Sequence, residues 1–394
     1  MSNVLFVNGP ASGHVYPTLG LVQELVRAGE QVYYVSSEEF REPLERLGAV
    51  FTAYGNFLKN GDPFETRLYL SLVIKILKSY EVILPCILDL AKQHSFDYII
   101  HDSMYGCGNV LADLLGLPHI AVCTSFIGAE SQQKGMDKPG DLKANHRFLK
   151  EFMDLAGRVR DQFGIQRRLD ISRVFFNEGL LNLVCTSSYF QPDSGSLGKH
   201  YSFVGPCLTE RGFPAEQSVV HKGRRMVYIS LGTQFNHVQS FYELCFEALA
   251  GFDGHVIVSA GNRIDMTVFR DIPGNFTVLP FVDQLEVLQA ADVFITHGGM
   301  NSVNEALYYN VPLIVIPQAA DQPLVGKRVE ALGAGLMLIK NTLTADNLRD
   351  AVEYLLSDRF NREALVRLGE SLRTAGGQLK AVEEIRRFKQ AYSI

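Results

Sequence analysis

Val293-Phe-Ile-Thr296 runs directly into His297-Gly-Gly-Met-Asn-Ser302. The first four residues are apolar or β-branched with no alternation, which predicts a strand buried on both faces. Two glycines and a helical pattern follow, so the unit reads strand, tight loop, helix. A strand buried on both faces needs a parallel sheet covered by helices. The same unit recurs outward from this stretch. Further runs of this kind are Val227–Leu231, His255–Val258, Phe276–Leu279, Leu313–Ile316 and Gly335–Ile339. The first half contributes Val4–Val7, Gln31–Val35, Tyr98–Ile100, His119–Cys123, Leu181–Cys185 and Tyr201–Val204. Between them Leu21, Val22, Leu25 and Val26 share a helical face, with Pro17 near its start and Gly29 past its end. The expected class is α/β.

The alternation breaks once. From Gly205 to Arg225 the chain is rich in turn formers and lacks periodicity, which predicts a linker. Each side carries its own strand–loop–helix series, so two doubly wound domains are expected. Residues 1–208 form the first, 209–225 the linker, and the second starts at 226 and runs to 378. A length of 394 residues suits two such domains. A second irregular stretch, Gln132 to Asp170, is rich in charge. Phe148, Phe152, Met153 and Leu155 give it a helical apolar face. It reads either as a lid or acceptor-pocket element, or as a surface helix packed on the first domain.

Composition excludes several functions. Hydrophobic residues make up 47% of the chain, so it is globular rather than disordered. The net charge of −6 gives no reason to expect a nucleic-acid or anionic-membrane partner. The six cysteines are widely spaced, which fits small core residues in a reducing, cytoplasmic compartment. The N-terminus runs directly into the strand at Val4, so no secretory leader is expected, and Leu68 to Leu90 is interrupted by Lys75, Lys78, Glu81, Pro85 and Asp89. That stretch reads as amphipathic helices, not as a membrane span.

Ligands of open α/β sheets bind beyond the carboxyl ends of the strands. Asn8 to His14, Asp102 and Ser103, Ser230 to Thr233, Gly261, His297 to Gly299, and Gln318 to Gln322 all follow strands. Ser230-Leu-Gly-Thr233 and Thr296-His-Gly-Gly-Met-Asn-Ser302 both lead toward helices. Small residues there admit a ligand close to the backbone, and free amides at a helix start favour an anion. One such loop is as readily explained by turn geometry; two in one domain, one with a histidine, point to a diphosphate. The dinucleotide fingerprint, the P-loop, the G-x-S-x-G elbow and metal-ligand spacings are all missing from the sequence.

Phe281-Val-Asp-Gln-Leu-Glu-Val-Leu288, His297-Gly-Gly-Met-Asn-Ser302, Glu305, Asn310-Val-Pro312 and Pro317 through Asp321-Gln322 resemble the donor signature of UDP-dependent glycosyltransferases. Gly9-Pro-Ala-Ser-Gly-His-Val-Tyr-Pro-Thr18 looks like their N-terminal loop. The resemblance spans the whole chain and is closest to the bacterial macrolide-type branch. It implies the GT-B fold: two Rossmann-like domains facing across a cleft, acceptor on the first and nucleotide sugar on the second. It also implies a terminal helix, within 379–394, that crosses back to the first domain. Carried over by position, His14 resembles the catalytic base and Asp102 its partner. Ser230, Gly232, Thr233, His297, Gly299, Asn301 and Ser302 resemble the diphosphate loops. Phe281 stands at the uracil-stacking position, with Val282 and Gln284 beside it, and Glu305 at the ribose position. Asp321 and Gln322 resemble the sugar-binding pair. The chain has no tryptophan: Phe281 takes the stacking position, and Met300 stands where the plant signature carries Trp.

The implied chemistry is inverting transfer of a sugar to a hydroxyl of a small hydrophobic aglycone, a flavonoid or macrolide for example. Glucose from UDP-glucose is the expected donor sugar, and neither a cofactor nor a metal is required. A histidine suits deprotonation of an alcohol, and a carboxylate beside it fixes its tautomer. The alternatives are another GT-B enzyme (a lipid or cell-wall glycosyltransferase, or a UDP-sugar epimerase) or a non-catalytic nucleotide-sugar binder. Tyr16, Phe57, Leu58, Phe64, Met104 and Phe126 are candidate acceptor contacts. Asn8, Ser12, Ser125 and Gln234 are weaker candidates for the site.

Overall fold

The computed structural model describes residues 2–57, 69–105, 107–128, 142–209, 220, 223–233, 236 and 238–394. They form two compact units. The first comprises Met1–Ser187, Asp193–Thr209 and Ala375–Ile394; the second comprises Ser188–Pro192 and Glu210–Thr374.

The first unit is built on a seven-stranded sheet. Its strands are β1 (Asn3–Val7), β2 (Gln31–Ser37), β3 (Val50–Tyr54), β4 (Tyr98–Asp102), β5 (His119–Cys123), β6 (Leu181–Val184) and β7 (Tyr201–Phe203). All pairings are parallel, in the order β3-β2-β1-β4-β5-β6-β7. β1 shows why it reads as unbroken hydrophobicity. Val4 and Phe6 enter the core on one face of the sheet, Leu5 and Val7 the core on the other. β3 has no counterpart in the sequence reading. It is an edge strand whose Val50 is exposed and whose Thr52 is half-buried, so its apolar signal is diluted.

The second unit carries β8 (Met226–Ser230), β9 (His255–Ser259), β10 (Phe276–Leu279), β11 (Val293–Thr296), β12 (Leu313–Val315) and β13 (Gly335–Met337). They too are all parallel, in the order β10-β9-β8-β11-β12-β13. Both sheets therefore reverse strand order once, between β1 and β4 in the first and between β8 and β11 in the second. Such a reversal opens a crevice at the carboxyl ends of the two strands, because their following connections diverge to opposite faces. His14 and Asp102 follow or end β1 and β4; Gly232 and His297 follow β8 and β11.

Three local readings change. Leu68 to Leu90 is mostly one helix, Tyr69–Gln93, with Pro85 inside it. A proline removes one backbone donor, and the buried face Val73, Ile76, Leu77, Tyr80, Ile83, Leu84 and Ile87 carries the helix past it. The helix Leu142–Phe163 buries Phe152, Leu155, Ala156 and Val159, whereas Met153 is 56% exposed. It shares the core with the helix Tyr69–Gln93. Ser188–Pro192 groups with the second unit, because Arg328 donates from its guanidinium to the carbonyls of Tyr189 and Phe190. The terminal helix Gly377–Ala391 lies within the first unit and buries Ala381, Val382, Ile385 and Phe388. Among the described residues, no helix is long and apolar enough to cross a membrane.

Candidate active site

In the first unit the chain leaves β1 through Asn8-Gly-Pro and closes a short helical turn, Ser12–Val15, that presents His14. Asn8 fixes that turn. Its fully buried side chain donates to the carbonyl of His14 (2.9 Å) and contacts the Tyr34 hydroxyl (2.8 Å). Asp102, the last residue of β4, is 1% exposed. Its Oδ2 lies 2.7 Å from Nδ1 of His14. Its Oδ1 accepts two backbone N–H groups, from Met104 and Tyr105, each at 2.7 Å. Burial acts to raise the Asp102 carboxyl. The charge and hydrogen bond of His14 and the amides of Tyr105 and Met104 outweigh it and hold the group below the usual carboxylate range. An ionised Asp102 can only accept, so Nδ1 of His14 carries the proton and Nε2 is the basic nitrogen. Thr124 Oγ1 lies 3.3 Å from the same Nδ1, and the Tyr105 ring meets the imidazole edge-on at 4.8 Å.

His101, the neighbour of Asp102, points to the opposite face. Its fully buried ring bonds His119 (3.0 Å) and the Asp102 carbonyl (2.9 Å). That is packing, as its strand parity predicts.

In the second unit the loops after β8 and β11 meet at His297. A Cβ on Gly232 would lie 2.6 Å from Cε1 of this ring, and one on Gly299 2.5 Å from its Nε2. The two glycines thus make room for the histidine as well as for a ligand. Burial lowers the His297 pKa to about 4, against a smaller opposing hydrogen bond to the Ser230 backbone. Such a ring is neutral at physiological pH and holds a single N–H, which either the Ser230 backbone or an anion can accept. Ser230 Oγ accepts from the Gly232 amide (3.2 Å) and so shapes its turn; Thr233 is exposed. The helix Met300–Tyr308 begins at Gly299 with no side-chain cap, while Asn301 and Ser302 are half-buried in its first turn.

Glu305 is 4% exposed on that helix. Gln284 holds it in place: Nε2 donates to Glu305 Oε2 (2.6 Å) and Ser302 Oγ (3.3 Å), while Oε1 accepts from Tyr228 (3.2 Å). Phe281 is 47% exposed, on the segment that carries Val282 and Gln284. Asp321 precedes the helix Gln322–Ala331 but makes no capping hydrogen bond. The Gln322 side-chain Oε1 accepts the backbone amides of Gln318 (2.7 Å) and Ala319 (2.9 Å), which orients its side-chain nitrogen.

The described candidate acceptor residues pack on different parts of the first unit. Phe57 and Met104 pack on one core of the first unit, Tyr16 on the other. Phe126 is buried, and Phe64, Leu58 and Gln234 lie outside the described residues. An aromatic series instead runs from His14 through Tyr105 to Phe57 and Tyr54, with ring separations of 4.8, 6.3 and 6.1 Å. Sequence reasoning missed Tyr105 and Thr124. The signal was available, since one lies three residues past Asp102 and the other directly follows β5.

Comparison with known proteins agrees with this arrangement. Residues 243–376 match the model of the erythromycin biosynthesis protein CIII-like C-terminal domain. The "Uncharacterized UDP-glucosyltransferase YdhE" of Bacillus subtilis (strain 168) is 34% identical over 394 residues, covering 98% of each chain. The NDP-glycosyltransferase YjiC of the same organism is 34% identical over 399 residues, covering 100% of this chain and 98% of its own. Among solved structures, the glycotransferase of kitacinnamycin superposes with a TM-score of 0.84 at 28% identity, covering 98% of both chains. Calicheamicin glycosyltransferase CalG4 gives 0.78 at 26% identity, covering 99% of this chain and 98% of its own. With that identity sustained over the full length, the chain belongs to the UDP-glycosyltransferase family, in its bacterial macrolide-type branch with the GT-B fold, and is a glycosyltransferase.

Proposed function

We propose that the protein moves glucose from UDP-glucose to a hydroxyl of a small hydrophobic aglycone of the flavonoid or macrolide type, with inversion at the anomeric carbon. The carrying observation is the 2.7 Å contact between His14 Nδ1 and a buried Asp102 whose other oxygen is taken by two amides. Nε2 of His14 takes the acceptor proton as the acceptor oxygen attacks the anomeric carbon. The bond from that carbon to the diphosphate oxygen breaks, and UDP leaves with the bonding pair. Asp102 stabilises the imidazolium that forms. The amides at the start of the helix Met300–Tyr308, with Thr233 and neutral His297, take up the charge of the leaving diphosphate. Glu305 binds the ribose, Phe281 stacks on the base, and Asp321 and Gln322 bind the sugar hydroxyls. This scheme asks nothing of a metal. The names of the Bacillus relatives favour a UDP-glucose donor. The six cysteines are free thiols, which suits a reducing interior.

The test is incubation with UDP-glucose and a hydroxylated flavonoid, with and without chelator, read by mass and by the anomeric coupling constant. A β-glucoside is expected in both arms. His14→Ala should abolish transfer while UDP still binds, and full transfer by that variant would overturn the assignment of the base.

A further inference from the structure

Asp102 is anchored by backbone amides, so whatever holds the Met104–Tyr105 backbone also holds Asp102. That segment makes a sharp turn directly after β4. Ser103 donates its amide to Val122 of β5 (3.0 Å), which fixes the start of the turn. The rest is held from a distant part of the chain. Asn177 lies between the short helix Ile171–Phe175 and β6, and it is fully buried. Its backbone N–H donates to the carbonyl of Ser103 (2.8 Å). Its side-chain Nδ2 donates to the carbonyls of Met104 (3.4 Å) and Val174 (3.2 Å). The carbonyls of residues 103 and 104 belong to the peptide units whose N–H groups lie on Met104 and Tyr105. These are the two amides that bond Asp102 Oδ1 (2.7 Å each). Asn177 therefore binds the far side of the very peptide groups that orient the carboxylate.

Asn177 is itself fixed. Asp170 caps the preceding helix through the amide of Arg173 (2.8 Å), and Arg173 is paired with Asp113. Val174 and Phe175 are buried in the core. Zero exposure keeps the Asn177 side chain from any substrate.

We infer that Asn177 is a positioning residue for the transfer reaction: it clamps the Ser103–Met104 carbonyls so that the next two amides aim at Asp102, which in turn aims His14. This rests on the reading of His14 and Asp102 as the base pair. Besides these two, the ionisable groups facing the carboxylate are His101, Tyr34, Tyr54 and the thiols of Cys123 and Cys185. The ionisable side chain that meets Asn177 is instead the buried Tyr80, whose hydroxyl burial keeps protonated.

The test uses the full-length protein with Asn177→Leu, similar in shape but without the side-chain donor. An unclamped turn loosens the amides on Asp102, and a loosely held carboxylate stabilises the His14 imidazolium less. The kcat is expected to fall by roughly 10- to 100-fold with the KM for UDP-glucose unchanged. The acid limb of the pH profile is expected to move down by about 1 pH unit. Ring NMR of 13C-labelled histidine, assigned by difference against His14→Ala, should show the His14 titration moving the same way. If Asn177→Leu does not fold, Asn177→Ser replaces it, with the same direction and a smaller size. A variant that is merely less stable, with the acid limb and the His14 titration unmoved, overturns the inference. Because the NMR titration needs no turnover, this outcome is distinct from failure of the base assignment, which full activity of His14→Ala would show.

Discussion

His297 fills the space that a side chain on Gly232 would need: a Cβ there would stand 2.6 Å from Cε1 of the imidazole. Gly232 also has φ +70°, a conformation that strains an L-residue. Gly232→Ala must therefore displace the ring or the loop, and both belong to the proposed diphosphate site. UDP affinity by titration calorimetry is expected to fall by about 10-fold or more, the equivalent of ~1.4 kcal/mol. The His14 titration in the first unit should not change. Unaltered UDP binding would show that the loop after β8 does not contact the diphosphate.

Asp102→Asn keeps the shape of the side chain but removes the charge. The new amide can turn its NH2 toward His14 Nδ1, which then holds the imidazole in the tautomer whose Nε2 bears the proton. A fall in kcat of roughly 10²- to 10⁴-fold is expected, with little change in UDP affinity. Wild-type Asp102 has a lowered pKa, so its stabilising contribution is complete above the unfolded carboxyl value of 3.8 and is lost as pH falls through the folded value. An acid limb above pH 5 thus belongs to His14 rather than to Asp102. Measuring that limb in the Asn variant checks the assignment, since removing the charge should shift it to lower pH.

The parts of this molecule legible in its sequence were those written in side-chain periodicity. Val4–Val7 and Val293–Thr296 announce strands because burial on both faces leaves them apolar or β-branched throughout. Val50–Tyr54 escaped because an edge strand tolerates Thr52 and exposes Val50. His14 and Asp102 could be named, because a histidine and a carboxylate after strands carry recognisable chemistry. The grip on Asp102 could not be read. It comes from the amides of Met104 and Tyr105, and a backbone N–H is the same in any residue but proline. Asn177 was hidden for a related reason: its partner Met104 lies 73 residues away along the chain. In the sequence Gly232 and Gly299 signal room for a ligand, whereas in the structure they first accommodate His297.

Gln284 ties three groups together through one amide: Tyr228, Ser302 and Glu305. Gln284→Leu leaves a buried Glu305 without this donor, so the carboxylate proposed to bind ribose loses one of the bonds that orient it. Losing a hydrogen bond to a charged group costs ~1.5–3 kcal/mol, shared here between folding and binding. UDP is expected to bind about 5- to 10-fold more weakly, equivalent to roughly 1–1.4 kcal/mol, while uridine-free anions such as pyrophosphate bind as before. Equal weakening of both ligands would locate the effect at the diphosphate instead.

Two histidines of the first unit resist protonation. Burial pushes His101 to about 3 and His119 to about 4, from an ordinary value of 6.5. Between pH 6.5 and 4 the unfolded chain therefore binds more protons than the fold does. Stability from these groups is complete above pH 6.5 and declines as the pH drops. The urea midpoint of the first unit is expected to fall steadily from pH 7 to pH 4.5. His119→Gln, which keeps a hydrogen-bonding group toward His101, should flatten that slope. A midpoint independent of pH over this range would show that both rings titrate normally.

Glu30 and Lys389 form a pair whose side chains are 10% and 14% exposed, far apart in sequence but joined within the first unit. Tyr98 lies against both, its hydroxyl 3.5 Å from Glu30 and its ring 5.7 Å from the Lys389 ammonium. The pair fastens the end of the terminal helix to the loop before β2, beside the apolar seam of Ala381, Val382, Ile385 and Phe388. Removing one charge leaves the other nearly buried and unpaired, which costs more than the pair itself contributes. Lys389→Met is expected to lower first-unit stability by roughly 2–3 kcal/mol, somewhat below a fully buried case because water still reaches both groups. The double variant Lys389→Met with Glu30→Leu should recover most of that loss, since it removes the stranded carboxylate as well. Denaturant midpoints of the two variants decide the matter: equal destabilisation would mean that a stranded Glu30 carboxylate is not the source of the loss, and recovery would mean that the single variant suffers from an uncompensated Glu30.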